Sequence, residues 1–419
     1  MKRENYDASA GFRAHYGQAV YLFNPTDREG RTARYNPLAY IDRNDPDDVT
    51  IELQKIATML FVAPEHGEAF WANGARTGFA GVGAWLAETS DEPLTMGAIY
   101  RHLNEGDARS FFRKELANPR LNLSVGCRAA LGDFAGGSDN SFADVKKTIT
   151  NILGLWLNPL VDAATAASDF DLRALRKAPM SIYLGVSPNE LDRIAPLYNL
   201  LFQQLIDLNV RELPDENSAD PVLVILDEFA RLGRASVIAS AFSYVAGYGI
   251  RLLPVIQSRS QLRGVYGEHV ADEIVANCGV EVAFTPKELR VANDLSERLG
   301  YVGQDSVTKS LTINGLLANR SKSISEQRRA LMLPQELMQF PPDKLILLRG
   351  GIPPIIGTKV AYFSNRFFKA RAFPPPPVQP ITKPAHQIDP APAFRDMTDE
   401  EAAGHETRPM SQDDVLTKD

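Results

Sequence analysis

The sequence predicts an α/β protein with a parallel sheet and an inserted all-α domain, and three observations lead to this prediction. Apolar runs of strand length alternate with helical patterns after residue 176, as in a parallel sheet covered by helices on both faces. Between residues 51 and 175, apolar residues recur at three- and four-residue steps, which is typical of helices. From residue 372 onward the chain is rich in proline and acidic residues, a composition that favours a disordered, solvated tail.

The elements follow in a defined order along the chain. A short apolar run ending at Pro25 predicts the first strand. Helices are predicted near residues 191–210, 271–277 and 286–299, and residues 301–330 read as a long polar loop or hairpin. The remaining strands are predicted at residues 180–186, 222–226, 251–256, 280–284, 344–348 and 358–363. The predicted parts are therefore 1–50 and 176–371 for the sheet domain, 51–175 for the helical insertion, and 372–419 for the tail.

Composition excludes several classes of protein. The 419 residues contain two cysteines and six scattered histidines, which excludes a disulfide scaffold and a four-thiolate zinc site. No apolar run approaches the length of about 20 residues that a membrane-spanning helix needs. The formal net charge is −7, and nine acidic residues against four basic ones from residue 372 onward account for most of it. The body is near neutral, so no global basic field indicates nucleic-acid binding, and a local basic lining stays open.

The most informative segment is the apolar run 222–226, which ends in Asp227 and Glu228. Ligands of doubly wound sheets bind at the carboxyl ends of the strands. There Asp227 would supply a hard oxygen ligand for Mg²⁺, through a bound water, and Glu228 would position the water that attacks a γ-phosphate. This is the Walker B arrangement. The alternative is a plain strand end, in which Asp227 caps a helix and Glu228 complements its dipole.

A second polar group follows the next strand. Gln257 stands at the end of the predicted strand 251–256, where its amide could bind the γ-phosphate or the attacking water. The alternative is a glutamine in a polar loop. Arg231, Arg234 and Arg251 lie near these strand ends in the sequence, and solvated surface arginines are the alternative to a role in phosphate chemistry.

The phosphate cradle that normally accompanies a Walker B strand is missing from the sequence. A Walker A loop, G-x-x-x-x-G-K-[ST], wraps phosphates with backbone N–H groups and supplies a lysine. No glycine directly precedes a lysine anywhere in this chain. Gly78, Gly81 and Gly83 lie in a helical pattern with no lysine beside them.

These segments together resemble the TraG-type coupling proteins of conjugative type IV secretion systems. The resemblance covers residues 2–372 and rests on motifs in the expected order. They are Asn36-Pro-Leu, the run 222–233 with Asp-Glu-Phe, the run 246–262 with Gln257, and the late segments 325–331 and 334–337. Lys2-Arg3-Glu4-Asn5 looks like the family segment that follows the Walker A region, so the chain is expected to be truncated after the membrane anchor and the Walker A loop.

The resemblance implies a RecA-like P-loop NTPase fold with an inserted all-α domain, and a hexameric ATPase that pumps DNA. It assigns Mg²⁺ assistance to Asp227, water activation to Glu228 and γ-phosphate sensing to Gln257. Arg251 is the candidate for a nucleotide- or neighbour-facing arginine. One departure is Ala246, which stands where some relatives place a trans-acting arginine. The implied cofactors are ATP and Mg²⁺, which require the missing Walker A segment.

The implied partners are single-stranded DNA, its relaxase and the secretion channel. The implied location is the cytoplasmic face of the bacterial inner membrane for the intact protein, and the cytoplasm for this chain alone. Two functions stay open. The first is the motor body of a conjugative coupling protein, with no ATP turnover by the isolated chain. The second is a catalytically incompetent module that recruits DNA-processing partners.

Overall fold

The structure is a computed structural model that describes residues 3–63, 69–187, 189–215, 219–314 and 317–381, with 306–314 and 317–324 described by their backbone. The chain forms two compact units, of which the first comprises Met1–Ile274 with Ala372–Asp419 and the second comprises Val275–Arg371. The four predicted parts of the chain stay a prediction.

Two pairs of parallel strands form the sheet part of the first unit. Each strand lies within one or two residues of its predicted position. The strands are β1 (Ala19–Phe23), β2 (Met180–Leu184), β3 (Val222–Leu226) and β4 (Ile250–Pro254). β1 pairs with β2 and β3 pairs with β4, both in parallel. The parallel direction predicted from the continuous apolar runs is confirmed for these four strands.

Helices connect these strands and fill the predicted insertion. The helices of the first 190 residues are α1 (Arg3–His15), α2 (Pro46–Leu60), α3 (Phe70–Thr89), α4 (Met96–Asn104), α5 (Ala108–Ala117), α6 (Val125–Gly136), α7 (Asp139–Leu153) and α8 (Pro159–Ala164). Those that follow are α9 (Leu191–Asn209), α10 (Ser236–Ala241), α11 (Arg259–Tyr266) and α12 (Glu268–Ala276). Residues 46–164 therefore contain no described strand, as the helical periodicity predicts.

Local sequence explains where the helices of the insertion begin. An oxygen-bearing side chain before each of six helices accepts a hydrogen bond from the first turn, which satisfies backbone donors that have no partner within the helix. These capping residues are Asp45, Thr95, Asp107, Ser124, Ser138 and Asn158. The glycines of α3 have a packing role: a Cβ on Gly81 would lie 2.7 Å from the backbone nitrogen of Leu131 on α6.

Buried Asn36 joins the sheet part to the helical insertion. It is 3% exposed, its side-chain amide donates to the carbonyl of Leu94, and its side-chain oxygen accepts from the backbone of Leu38. The Asn-Pro-Leu segment noted in the sequence is therefore a structural junction, since both polar atoms of a buried amide are satisfied by backbone from different parts of the chain.

The first ten residues of the predicted tail are ordered. Residues 372–381, here called the strap, lie against α1 and the loop after β1. The Tyr6 hydroxyl donates to the carbonyl of Pro376 at 2.7 Å, and the Ile381 backbone donates to Gly30 at 2.9 Å. Phe373 stacks on His15 with ring centroids 4.2 Å apart. The prediction of a disordered tail is wrong for the strap, because prolines that suit an extended chain also suit docking onto an aromatic surface. The rest of the predicted tail, 382–419, lies outside the described residues.

The second unit has an antiparallel sheet. Its elements are β5 (Val280–Ala283), α13 (Leu289–Leu299), β6 (Tyr301–Asn314), β7 (Leu317–Ala330), α14 (Pro334–Met338), β8 (Lys344–Arg349), β9 (Ile355–Thr358) and α15 (Arg366–Lys369). β5 pairs antiparallel with β8, which pairs antiparallel with β9. The predicted fifth parallel strand is therefore antiparallel, and the last predicted strand lies earlier in the chain. The predicted polar loop or hairpin is a hairpin, β6–β7.

A small apolar core holds the second unit together. Ala292, Leu295, Leu299, Leu337 and Ile346 pack against one another. Their burial joins α13 and α14 to the antiparallel sheet. In the described part of the chain, no helix is long and apolar enough to cross a membrane.

Candidate functional site

Asp227 and Glu228 lie in a bulge at the carboxyl ends of β3 and β4. The backbone N–H of Val255 donates to Leu226 at 3.0 Å, and the carbonyl of Val255 accepts from Phe229 at 3.1 Å. A regular parallel ladder would place one residue between those two partners, and here there are two. The extra residue places Asp227 and Glu228 outside the regular ladder, and bulges of this kind are common near functional sites.

Glu228 adopts a left-handed backbone conformation. Its φ and ψ are 56° and 44°, and it is the non-glycine residue with positive φ among those described. For a residue with a Cβ this conformation costs about 1–2 kcal/mol. Backbone strain of this kind persists where the surroundings impose it, and it concentrates at functional sites. The left-handed backbone therefore adds to the prediction that Glu228 is a functional residue.

An arginine contacts the Glu228 carboxylate. Its Oε2 forms an ion pair with Arg231 at 3.2 Å, and the Glu228 side chain is 19% exposed. Arg231 lies in the 3₁₀ turn Phe229–Leu232 that follows the bulge. One of the arginines noted in the sequence thus orients the predicted base.

A buried aromatic group fixes the turn beneath the carboxylates. Phe229 is fully buried and stacks on Tyr266, with ring centroids 5.4 Å apart. The Tyr266 hydroxyl accepts from the Ala235 backbone and donates to the Gly233 carbonyl, both at 3.2 Å. Burial raises the pKa of Tyr266 to about 12, so its hydroxyl stays a donor at neutral pH. This anchoring restrains Asp227 and Glu228 while leaving their carboxylates partly exposed.

Asn5 is a site residue that the sequence analysis missed. Its side-chain amide donates to the Asp227 Oδ2 at 3.4 Å from the start of α1. The Ser9 hydroxyl, one turn later on α1, lies 2.9 Å from the hydroxyl of Tyr183 on β2. The resemblance of residues 2–5 to a family segment was a signal for this region, but the contact itself spans 222 residues of sequence.

The two remaining predicted site residues, Gln257 and Arg251, lie at opposite ends of the strand pair. Gln257 is exposed and lies two residues beyond Val255, at the same edge as Asp227 and Glu228. Arg251 is paired with Leu223 at the amino end of the strands, four residues or about 13 Å from Asp227, and donates to the carbonyl of Ala246 at 2.7 Å. The structure therefore brings together Asp227, Glu228 and Gln257 and does not bring Arg251 to them.

The described residues cover only one face of the β3–β4 pair. Val222, Val224 and Leu226 are 7%, 8% and 1% exposed, whereas Leu223 and Ile225 on the other face are each 56% exposed. On β4 and just after it, Leu253 and Val255 are 46% and 42% exposed. An apolar surface therefore begins directly beside the two carboxylates.

The carboxylates of Asp227 and Glu228 and the amide of Gln257 fit a bound magnesium nucleotide. The described residues contain no group of three or more His, Cys, Asp or Glu that could hold a metal by itself. Mg²⁺ in nucleotide sites needs only one or two carboxylates, because it keeps several waters and binds phosphate oxygens. Asp227 and Glu228 meet that requirement and Gln257 adds an amide. A cradle for the phosphates is not found in the sequence, since Gly-Lys does not occur.

Comparison with known proteins identifies the family of this chain. Residues 1–382 match the family model "Type IV secretory system Conjugative DNA transfer". The chain belongs to the type IV secretion coupling proteins. It is 32% identical over 374 residues to "Protein VirD4" of Rhizobium radiobacter, covering 88% of this chain and 53% of that protein. It is 26% identical over 425 residues to "Conjugal transfer protein TraG" of Escherichia coli, covering 90% and 64%.

Solved structures show the same fold. The coupling protein TrwBdeltaN70 aligns with a TM-score of 0.59 at 18% identity, over 81% of this chain and 73% of that chain. Plasmid coupling protein TrwB in complex with ADP and Mg²⁺ aligns with a TM-score of 0.58, over 85% and 77%. The RecA-like fold predicted from the family resemblance is therefore confirmed. This coupling-protein chain spans between about half and two thirds of the length of the two curated relatives.

Proposed function

We propose that the chain is the body of a coupling protein that uses ATP hydrolysis to deliver single-stranded DNA, with its attached relaxase, to a type IV secretion channel. The observation that supports this most directly is the bulge that presents Asp227 and Glu228 at the carboxyl edge of the sheet. TrwB, which shares the fold, is described in complex with ADP and Mg²⁺. The proposal transfers that ligand class to this chain.

Asp227, Glu228 and Gln257 each have a separate role in the proposed hydrolysis. Mg·ATP supplies the phosphoanhydride bond whose hydrolysis drives transport. Asp227, which accepts a hydrogen bond from the Asn5 amide at 3.4 Å, would hold Mg²⁺ through a bound water. Glu228, oriented by Arg231 at 3.2 Å, orients the attacking water and accepts its proton. Gln257 senses the γ-phosphate through its amide. Arg251 lies at the opposite end of the strand pair, and the role proposed for it is a contact with a neighbouring subunit.

The wider assembly follows from the same proposal. A homo-hexamer would enclose the transported strand, with contacts to phosphates that are indifferent to sequence. The helical insertion would receive the relaxase and its accessory proteins. The intact assembly would act at the cytoplasmic face of the inner membrane, next to the channel proteins.

A second function is favoured by one specific observation. The absence of any Gly-Lys pair means that this chain alone lacks the lysine and glycine-rich loop that hold phosphates. On this ground the isolated chain is expected to show no ATP turnover, because phosphate alignment would collapse. A catalytically incompetent recruitment module is then the alternative function. It requires the fold and the partner surfaces, but not the carboxylates.

A DNA transfer assay separates the two functions. Donor cells carry the gene with Glu228→Gln or Asp227→Asn, and transfer of the mobilised DNA to recipients is counted. Loss of a general base or a magnesium ligand costs at least about 10²-fold in hydrolysis, so transfer should fall by at least that factor. Asp220→Asn is the matched control, because this exposed carboxylate precedes the amino end of the same strand.

The expected outcome is loss of transfer in both site variants and wild-type transfer in the control. Immunoblots establish that all variants accumulate equally. Wild-type transfer with Glu228→Gln would contradict the motor proposal and favour the recruitment module.

A further inference from the structure

The strap docks with few hydrogen bonds. Its residues 374–377 are four consecutive prolines, which have no backbone N–H to satisfy and favour an extended chain before docking. Phe373 and Val378, which flank this run, are partly buried. A segment of this kind loses little conformational freedom when it docks and leaves few unpaired backbone donors when it is released. The strap is therefore suited to reversible docking.

One side of α1 packs against the strap. Tyr6 and Ala10 of α1 are 3% and 0% exposed. They form a small apolar cluster with Leu22 of β1, and Val378 of the strap packs against this cluster. The Tyr6 hydroxyl donates to the carbonyl of Pro376, and burial raises the pKa of this hydroxyl, so it remains protonated and able to donate. The strap therefore contributes both apolar contact and a hydrogen bond to α1.

The backbone of the strap touches the backbone of α1 at Gly11. A Cβ at this position would overlap the backbone carbonyl oxygens of Phe373 and Pro374. Backbone atoms cannot rotate aside as a side chain does, so a larger residue at position 11 has to push the strap away from the helix. Glycine is otherwise unfavourable within a helix, and the close contact explains why it stands here.

The start of α1 is held on both sides of Asn5. On one side, Arg3 forms an ion pair with Asp27 at 3.5 Å, in the loop after β1, and the end of the strap donates a backbone hydrogen bond to the same loop. On the other side, Tyr6 is held by the strap itself. Between them, the Asn5 amide donates to the Asp227 carboxylate at 3.4 Å. The strap, the loop and α1 thus form a closed set of contacts, and Asn5 reaches Asp227 from within it.

We propose that the strap is a releasable clasp that holds α1 where Asn5 contacts Asp227, with Tyr6 as the positioning residue. Docking of the strap and the order of the edge that carries Asp227 and Glu228 are then linked, so a change at either one alters the other. Release of the strap frees α1, removes the Asn5 contact and lets the bulge move. The effect of this motion on ATP hydrolysis rests on the proposed function, whereas the link itself does not.

The test is hydrogen–deuterium exchange of the full chain 1–419, followed by mass spectrometry on segments that cover α1, residues 226–233 and the helical insertion. Gly11→Ala displaces the strap, although alanine by itself favours the helix. Exchange in α1 should become at least about 5-fold faster through this overpacking. Exchange in residues 226–233 should become about 2- to 10-fold faster, as expected for the loss of one hydrogen bond. The helical insertion should exchange as in wild type.

A second variant and a matched control accompany Gly11→Ala. Tyr6→Phe keeps the ring and removes only the hydroxyl, so it weakens the strap without a steric change, and both segments should exchange about 2- to 10-fold faster. This variant decides the question where Gly11→Ala exchanges faster throughout the chain. Gly132→Ala on α6 makes the same chemical change in a helix where a Cβ meets no atom within 4 Å. It should leave α1 and residues 226–233 as in wild type.

A double-mutant cycle separates a positioning role from general support. Asn5→Ala should itself speed exchange in residues 226–233. Adding Gly11→Ala should then cause no further increase there, because both changes act through the same contact. A merely structural role of the strap would give additive effects instead.

Three results would overturn the proposal. The first is faster exchange in α1 with wild-type exchange in residues 226–233, since the strap would then only support α1. The second is wild-type exchange in both segments, and the third is additivity of Asn5→Ala and Gly11→Ala. Each of these leaves the motor proposal to the transfer assay with Glu228→Gln, which does not involve the strap.

Discussion

The close contact between α3 and α6 makes a sharp prediction about Gly81. A Cβ at this position would lie 2.7 Å from the backbone nitrogen of Leu131 and 2.9 Å from the backbone carbon of Ala130. Backbone atoms in the middle of a helix cannot move aside as a side chain can, so Gly81→Ala must separate the helices. Overpacking of this kind costs about 1–3 kcal/mol, against a gain of about 1 kcal/mol in helix propensity. Because the atoms in the way are backbone, the upper part of that range applies, about 2–3 kcal/mol, and the expected net loss of stability is about 1–2 kcal/mol.

Gly132 on α6 provides the matched control. A Cβ there would meet no atom within 4 Å, so Gly132→Ala should only gain helix propensity and stabilise the protein by about 0.5–1 kcal/mol. The assay is urea unfolding followed by tryptophan fluorescence. All three tryptophans, Trp71, Trp85 and Trp156, lie in the helical insertion, so the signal reports on the helices concerned.

The two variants should move the urea midpoint in opposite directions with an unchanged slope of the transition. A Gly81→Ala protein as stable as wild type would refute the argument, because it would show that α3 and α6 separate at no cost. Destabilisation by both substitutions would instead show that helix packing tolerates neither.

Two further predictions concern the strap and the half-buried carboxylate of Glu92. In urea unfolding, a chain ending at Arg371 should be less stable by about 1–3 kcal/mol than one ending at Ile381, since two hydrogen bonds to the body disappear with the strap. Equal stability of the two chains would disprove a structural role. The pKa of Glu92 is lowered, chiefly by its hydrogen bond with His102, so its stabilising effect is present above the ordinary carboxyl pKa of about 4.3 and disappears as pH falls through the lowered value. Wild type should therefore exceed Glu92→Gln in thermal stability at neutral pH, with a gap that closes in acid; a gap that widens in acid would contradict this assignment.

The local elements of the site were predictable from the sequence. A continuous apolar run followed by Asp227 and Glu228 indicated a buried strand with carboxylates at its end, and β3 is that strand. Gln257 was placed at the same edge by the same reasoning, because parallel strands end on one side. Their roles in catalysis stay a prediction that the transfer assay tests.

The contacts around the carboxylates were not predictable in this way. The contact of Asn5 with Asp227 spans 222 residues, and that of Tyr6 with Pro376 spans 370. Glu228 is left-handed where two residues, and not one, lie between Leu226 and Phe229, which both bond to Val255 of the neighbouring strand. None of these has a local pattern, because each depends on which distant segment packs against it.

Sequence by itself determined the alternation of strands and helices, the helical insertion and the polar strand ends, since these follow from side-chain period and burial along a short stretch. Only the tertiary structure decided strand direction in the second unit, where β5 pairs antiparallel with β8 some 60 residues later. It also decided that a proline-rich segment returns to α1 as the strap. The physical reason is that an apolar run specifies that a strand is buried, whereas its partner and direction are chosen by the packing of the whole domain.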